Sequence, residues 1–128
     1  MRSLAREVVF KYIFSKLFNP NDEGLFNVLA KDLSADDKDF AKKLLDSVLE
    51  NEENYLLSIE SISNGYKLNR VFNADKCALL IGMAELNVFK DTPVAIVIDE
   101  AVKLSAKYST ENSTDFVNGI LAEYVRRI

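Results

Sequence analysis

The stretch NADKCALLIGMAELNVF, residues 73–89, decides the fold. Between Lys76 and Glu85 it carries eight consecutive residues, Cys77 to Ala84, with no charge and no polar side chain larger than a thiol. A helix that is apolar all round belongs inside a domain. The run is too short, and too closely bounded by Lys76 and Glu85, to span a membrane. Asn73 is the expected N-cap, with Asp75 in the first turn facing the positive end of the helix dipole. Gly82 falls mid-helix, where glycine costs about 1 kcal/mol relative to alanine. Close approach of a neighbouring helix would offset that cost.

Working outward, the rest of the chain reads as helices packed around this one. Ser3 to Phe18 has apolar residues at helical spacing (Leu4, Val8, Tyr12 and Val9, Ile13, Leu17), widened by Phe10 and Phe14. Ser3 is a candidate cap for it. Asn19-Pro20-Asn21 predicts a break, and Asp22 to Lys31 a short amphipathic segment. Ser34 with Asp37 three residues on is an acidic form of the capping box. It opens a third helix through Phe40, Leu44, Leu45 and Val48 to about Glu50. A fourth follows with Tyr55, Leu56, Ile59 and Ile62, ending at the turn signal Asn64-Gly65. Beyond the central helix, Thr92 as N-cap and Pro93 at the first helical position start a sixth helix running to about Tyr108. Ser113 is the expected cap of a seventh, whose apolar face is Phe116, Val117, Ile120, Leu121, Tyr124 and Val125. No strand pattern or hairpin signal competes with these helices. The expectation is an all-α protein of about seven helices, forming a single domain over residues 1–128.

Composition narrows the function. The 128 residues include one cysteine and no histidine. An internal disulfide is therefore ruled out, and a reducing compartment, the cytoplasm, is expected. Histidine-based general base catalysis and histidine metal ligation are absent, and a zinc site would need more Cys or His than the chain holds. There is no glycine-rich phosphate loop. The adjacent acids Asp99 and Glu100, or Asp36, Asp37 and Asp39, read as solvated faces or first-turn charges rather than a catalytic pair. An enzyme is not expected, no cofactor is called for, and a binding module is the class that remains. The net charge of −4 conceals an uneven distribution: residues 1–18 sum to +3 and residues 19–62 to −7. A basic N-terminal helix carrying Arg2 and Arg6, four apart on one face, lies beside an acidic middle.

The C-terminal third resembles a known family. TPVAIVIDEAVKLSAKY, residues 92–108, is similar to the P-x-x-V-x-I-N-E-A-V-E-L-A-K-x-Y pattern of the NusB transcription antitermination factors. STDFVNGIL, residues 113–121, resembles that family's S-x-x-F-V-N-G-V-L. Ala74-Asp75-Lys76 through Glu85-Leu86 resembles its central-helix pattern, and Arg2 with Ala5-Arg6-Glu7 its R-x-x-A-R-E start. The match follows the chain in order along nearly its whole length. The sequence departs from the pattern at Asp99, where asparagine is usual, at Ser109, where glycine is usual, and at Ile81 or Gly82, where arginine is usual. Its N-terminus is also poorer in arginine.

The resemblance implies an all-helical fold of two small packed bundles. It implies binding of the single-stranded boxA element of ribosomal RNA leader transcripts. The binding species would be a heterodimer with NusE, a small ribosomal subunit protein. That complex acts with RNA polymerase and other Nus factors to suppress termination. Some members of the family dimerise, so a homodimer is a further expectation, and no membrane is involved. By resemblance, the RNA-binding residues are Arg2, Arg6, Asp75, Phe116 and Asn118, and the partner-binding residues are Phe14, Glu100 and Asn112. Single-stranded RNA needs cations for phosphates and planar groups for bases, which Arg2, Arg6 and Phe116 supply. A carboxylate at Asp75 can accept from exocyclic base amines. Two readings stay open for these residues: Phe116 as core or base platform, and Asp75 as dipole partner or base acceptor. Asn118-Gly119 puts a second glycine mid-helix, where helix packing or a partner would account for it. The alternative to the RNA-binding factor is a helical protein–protein interaction module with weak or no RNA binding.

Overall fold

The computed structural model describes residues 2–16, 24–63 and 71–128. Within them the chain forms six helices and no strand: α1 (Arg2–Lys16), α2 (Leu25–Ala30), α3 (Ala35–Ile62), α4 (Asn73–Val88), α5 (Val94–Tyr108) and α6 (Ser113–Arg127). The first three make one group and the last three another. Helix α4 joins them, packing against α1, α3, α5 and α6. One hydrophobic cluster runs through both groups. No helix among the described residues is long and apolar enough to cross a membrane.

Helix α4 is interior, as its sequence requires: Ala74, Asp75 and every residue from Cys77 to Leu86 are buried. Gly82 lies where α6 and α5 come nearest. A Cβ placed there would stand 2.8 Å from Cδ1 of Leu121 and 3.5 Å from Cβ of Ala101. The propensity lost to this glycine is thus exchanged for close helix packing. Burial also pushes the Cys77 thiol up to about 12.

Two expected helices are one. The third and fourth segments form a continuous helix of 28 residues, α3, which is why the count is six rather than seven. Its start is as read: the Ser34 hydroxyl accepts from the Asp37 backbone N–H at 3.1 Å. No Gly or Pro interrupts residues 49–54, and Tyr55 follows Val48 by seven residues, which keeps the apolar stripe in phase. Asn51, half-buried in that stripe, donates its side-chain amide to the Ser47 carbonyl at 3.0 Å. Ser47 and Tyr55 share a buried hydrogen bond of 3.0 Å. Three other caps are displaced by one residue. Asn73 and Ser113 are first helical residues rather than caps, and Pro93, not Thr92, precedes α5. Ser3 lies within α1, which begins at Arg2. The breaks expected at Asn19-Pro20-Asn21 and Asn64-Gly65, and the expected helix ends at Phe18 and Asp22, lie outside the described residues.

Side-chain contacts fix the helix directions. Arg2 stacks over Phe89 and Arg6 pairs with Glu85, so α1 runs antiparallel to α4. Asp75 meets Ser105 while Gly82 faces Ala101, so α5 is also antiparallel to α4. Gly82 faces Leu121 and Asn87 bonds Tyr124 at 2.6 Å, so α6 runs parallel to α4. As a result, the start of α4, the end of α5 and the start of α6 meet at one end of the molecule.

Candidate functional site

At that meeting point the structure opens a cleft of about 260 Å³. Asp75 lines it from α4, Phe72 from the residue preceding α4, and Thr110, Asn112 and Phe116 from the α5–α6 turn and the start of α6. Asp75 is buried and accepts from the Ser105 hydroxyl at 2.8 Å. It therefore does more than face the helix dipole: Ser105 fixes the carboxylate in the cleft wall. Phe116 is half-buried, with its ring packed against the core while lining the cleft. Core residue and cleft wall are both true of it. Asn112 is exposed at the N-cap position of α6 and lines the same cleft as Asp75 and Phe116. The turn behind it is held by Ser113, whose hydroxyl bonds Thr110 at 2.9 Å and Ser109 at 3.2 Å.

Such a cleft offers two aromatic rings, a fixed carboxylate, an amide and a hydroxyl. That combination suits a planar heteroaromatic ring carrying amino groups: the rings stack it, and the carboxylate accepts its N–H donors. Phe72 was not singled out from the sequence, and it is 60% exposed. The signal was its place directly before the helix start, where a side chain projects off the end instead of joining the stripe.

The two arginines separate. Arg6 is interior, only 4% exposed. Its Nε and Nη2 donate to both carboxylate oxygens of Glu85 at 2.7 and 2.6 Å, and Nη1 lies 3.8 Å from Glu100. Burial alone would lower the Arg6 pKa, but the hydrogen bonds and charges of Glu85 and Glu100 outweigh it and raise it. The expectation that Arg6 offers a surface cation to phosphate is corrected here: its charge is consumed inside. Arg2 remains exposed, stacked 4.6 Å above the ring of Phe40, with Nη1 donating to the Thr92 hydroxyl at 3.3 Å. It sits near Phe89, fourteen residues and about 20 Å along α4 from Asp75. Arg2 is therefore not part of the Asp75 cleft.

The remaining expected residues also disperse. Asn118 is exposed but faces a shallow groove between α5 and α6, beside Val94, Ile98 and Val102. Phe14 stacks parallel to Phe10, with ring centroids 6.0 Å apart, and packs against the core. Glu100, with its side chain 16% exposed, accepts from Ser3 at 2.9 Å beside Arg6. Glu100 reads as a strut between α5 and α1. Glu7 is another: it accepts from Lys107 and from the Tyr108 hydroxyl, and Tyr108 stacks on Phe10 at 4.7 Å. No group of acids and cysteine that could hold a metal occurs among the described residues.

These features define an all-helical protein with a buried central helix and a polar, aromatic cleft at one end. Residues 1–126 match the NusB family, and the chain belongs to it. It is 33% identical to the transcription antitermination protein NusB of Alkaliphilus oremlandii, over 98% of this chain and 94% of that one. It is 32% identical to the protein of the same name from Acetivibrio thermocellus, over 98% and 88%. Among solved structures, T. maritima NusB superposes with a TM-score of 0.89 at 29% identity, covering 96% of this chain and 89% of that one. A structure of antitermination factors NusB and NusE in complex with double-stranded RNA gives 0.87 at 27% identity, covering 99% and 97%.

Proposed function

We propose that this chain is a transcription antitermination factor. It binds boxA-type single-stranded RNA of ribosomal RNA leader transcripts together with NusE, and so supports processive transcription by RNA polymerase with other Nus factors. The observation that carries this reading is the convergence of Asp75, Asn112 and Phe116 on one cleft, in a fold whose relatives are antitermination proteins. The cleft reads base, with Phe116 and the exposed Phe72 stacking, Asp75 accepting from base amines, and Asn112 offering both a donor and an acceptor. Arg2 supplies phosphate contact at a distance.

The alternative, a helical protein–protein interaction module, draws on the net charge of −4 and on the interior place of Arg6. The two readings are separated by titrating labelled boxA-type RNA and a scrambled RNA, with and without NusE, at low and moderate salt. An antitermination factor prefers boxA, more tightly with NusE, and Arg2→Ala makes the salt dependence shallower by about one ion. Equal, weak binding of both RNAs in the presence of NusE refutes the proposal and leaves the interaction module.

A further inference from the structure

The two oxygens of the Asp75 carboxylate do not have the same surroundings. Oδ1 accepts from the Ser105 hydroxyl at 2.8 Å, and Ser105 is 0% exposed. Oδ1 is therefore turned toward the interior. Ser105 is the one hydrogen-bond partner of Asp75 among the described residues. No buried side-chain oxygen or nitrogen among those residues lacks a partner. Oδ2, which has none, thus belongs to the small surface that Asp75 keeps open, in the wall of the cleft it shares with Asn112 and Phe116.

This asymmetry has a chemical consequence. A carboxylate with both oxygens free can accept two adjacent donors at once. Guanine presents such a pair on its Watson–Crick edge, N1–H beside the N2 amino group, and single-stranded RNA leaves that edge open. Adenine and cytosine present one amino group beside a bare ring nitrogen. A carboxylate reduced to one acceptor satisfies that amino group but leaves the second guanine donor unpaired, which costs affinity. The Asn112 amide, lining the same cleft, is a donor suited to the ring nitrogen. The NusB-family pattern has alanine where this chain has Ser105, so the hydroxyl that occupies Oδ1 is a feature of this chain rather than of the fold.

We infer that Ser105 is a specificity-determining positioning residue: by occupying Oδ1 it leaves Asp75 a single acceptor, and the cleft selects adenine or cytosine over guanine. This rests on the RNA-binding reading above and names the base chemistry that the cleft accepts.

The test uses the full chain with NusE and a set of boxA-type RNAs in which each position in turn carries adenine, cytosine, guanine or uracil. At one position the unaltered protein is expected to bind adenine or cytosine about tenfold more tightly than guanine. Ser105→Ala frees Oδ1, so guanine gains there and the ratio falls to about threefold or less, with NusE binding unchanged. Asp75→Asn keeps the shape and the Ser105 hydrogen bond but turns an amide N–H toward the cleft, so preference at that position moves to uracil, whose carbonyl oxygen accepts. A base ratio unmoved by Ser105→Ala overturns the inference. So does a uniform loss of affinity for all four bases in that variant, which is what a bond that only supports the fold would give. Base preference unchanged in Asp75→Asn overturns it as well. If the unaltered protein does not prefer boxA-type RNA to a scrambled RNA, the functional reading itself has failed. A boxA preference that tolerates guanine equally at every position fails this inference alone.

Discussion

Replacing Glu85 with leucine tests whether Arg6 is an internal strut or a displaced surface cation. The pair is bidentate and its side chains are 5% and 1% exposed. Removing one member of such a pair leaves an uncompensated buried charge, which costs about 3–5 kcal/mol. Glu100 remains 3.8 Å from Nη1 and continues to offset part of the Arg6 charge, so the lower end, about 3 kcal/mol, is expected for Glu85→Leu. Arg6→Met strands the carboxylate instead and costs a similar amount. The double variant, with both charges replaced by apolar groups of similar size, returns to within about 1 kcal/mol of the unaltered protein. Urea unfolding measures all four. With a slope of about 2 kcal/mol per molar, each single change lowers the midpoint by about 1.5 M, a large share of a marginal stability. The coupling energy from the cycle would then be several kcal/mol. A loss under about 1 kcal/mol for Glu85→Leu, or a double variant as unstable as the sum of the singles, refutes the reasoning.

Three further outcomes are expected. Gly82→Val drives two methyl groups toward Leu121 and Ala101 and should lower stability by about 2–3 kcal/mol in urea unfolding; an unchanged midpoint would show that α4 and α6 can separate freely. Cys77, buried and with its thiol pushed up to about 12, should react with a thiol reagent at neutral pH only after unfolding, so modification at the rate of free cysteine would contradict its placement. Burial raises the Glu7 pKa, but the hydrogen bonds from Lys107 and Tyr108 and the nearby lysine charges outweigh it, and the net shift is downward from the usual 4.5. Its contribution is fully present above that value and is lost as pH falls through the lower folded value, so Glu7→Gln should flatten the acid limb of the stability–pH curve; an identical acid limb would remove Glu7 as a strut.

Much of the fold was legible because the apolar runs are long and few breakers interrupt them. The all-round apolar stretch after Lys76 identified the interior helix, and the spacing from Ser34 to Asp37 identified the start of α3. The expected division of α3 falls at the polar run Glu50–Asn54. The stripe on either side of it shares one phase, and Asn51 fills the gap. Single-residue errors at Asn73, Thr92 and Ser113 arose because each has a capping side chain that forms no cap here; Thr92 serves Arg2 instead, and Ser113 serves Thr110 and Ser109. For the site, the family pattern singled out Asp75, Asn112 and Phe116, but not that they share a cleft. That follows from α5 running back along α4 and α6 turning to follow it. The interior place of Arg6 was hidden because its partner, Glu85, lies 79 residues away. Arg2 and Arg6, one turn apart, looked equivalent as sequence.

The length of α3 imposes a constraint of another kind. Positions 49, 50 and 52–54 are mostly exposed and make few demands on residue type. Yet they act as a spacer that sets rotation, because successive helical residues turn by about 100°. Deleting any one of them would swing Tyr55, Ile59 and Ile62 out of the core while leaving every residue identity intact. This segment should therefore drift freely in sequence between related proteins while its residue count holds fixed.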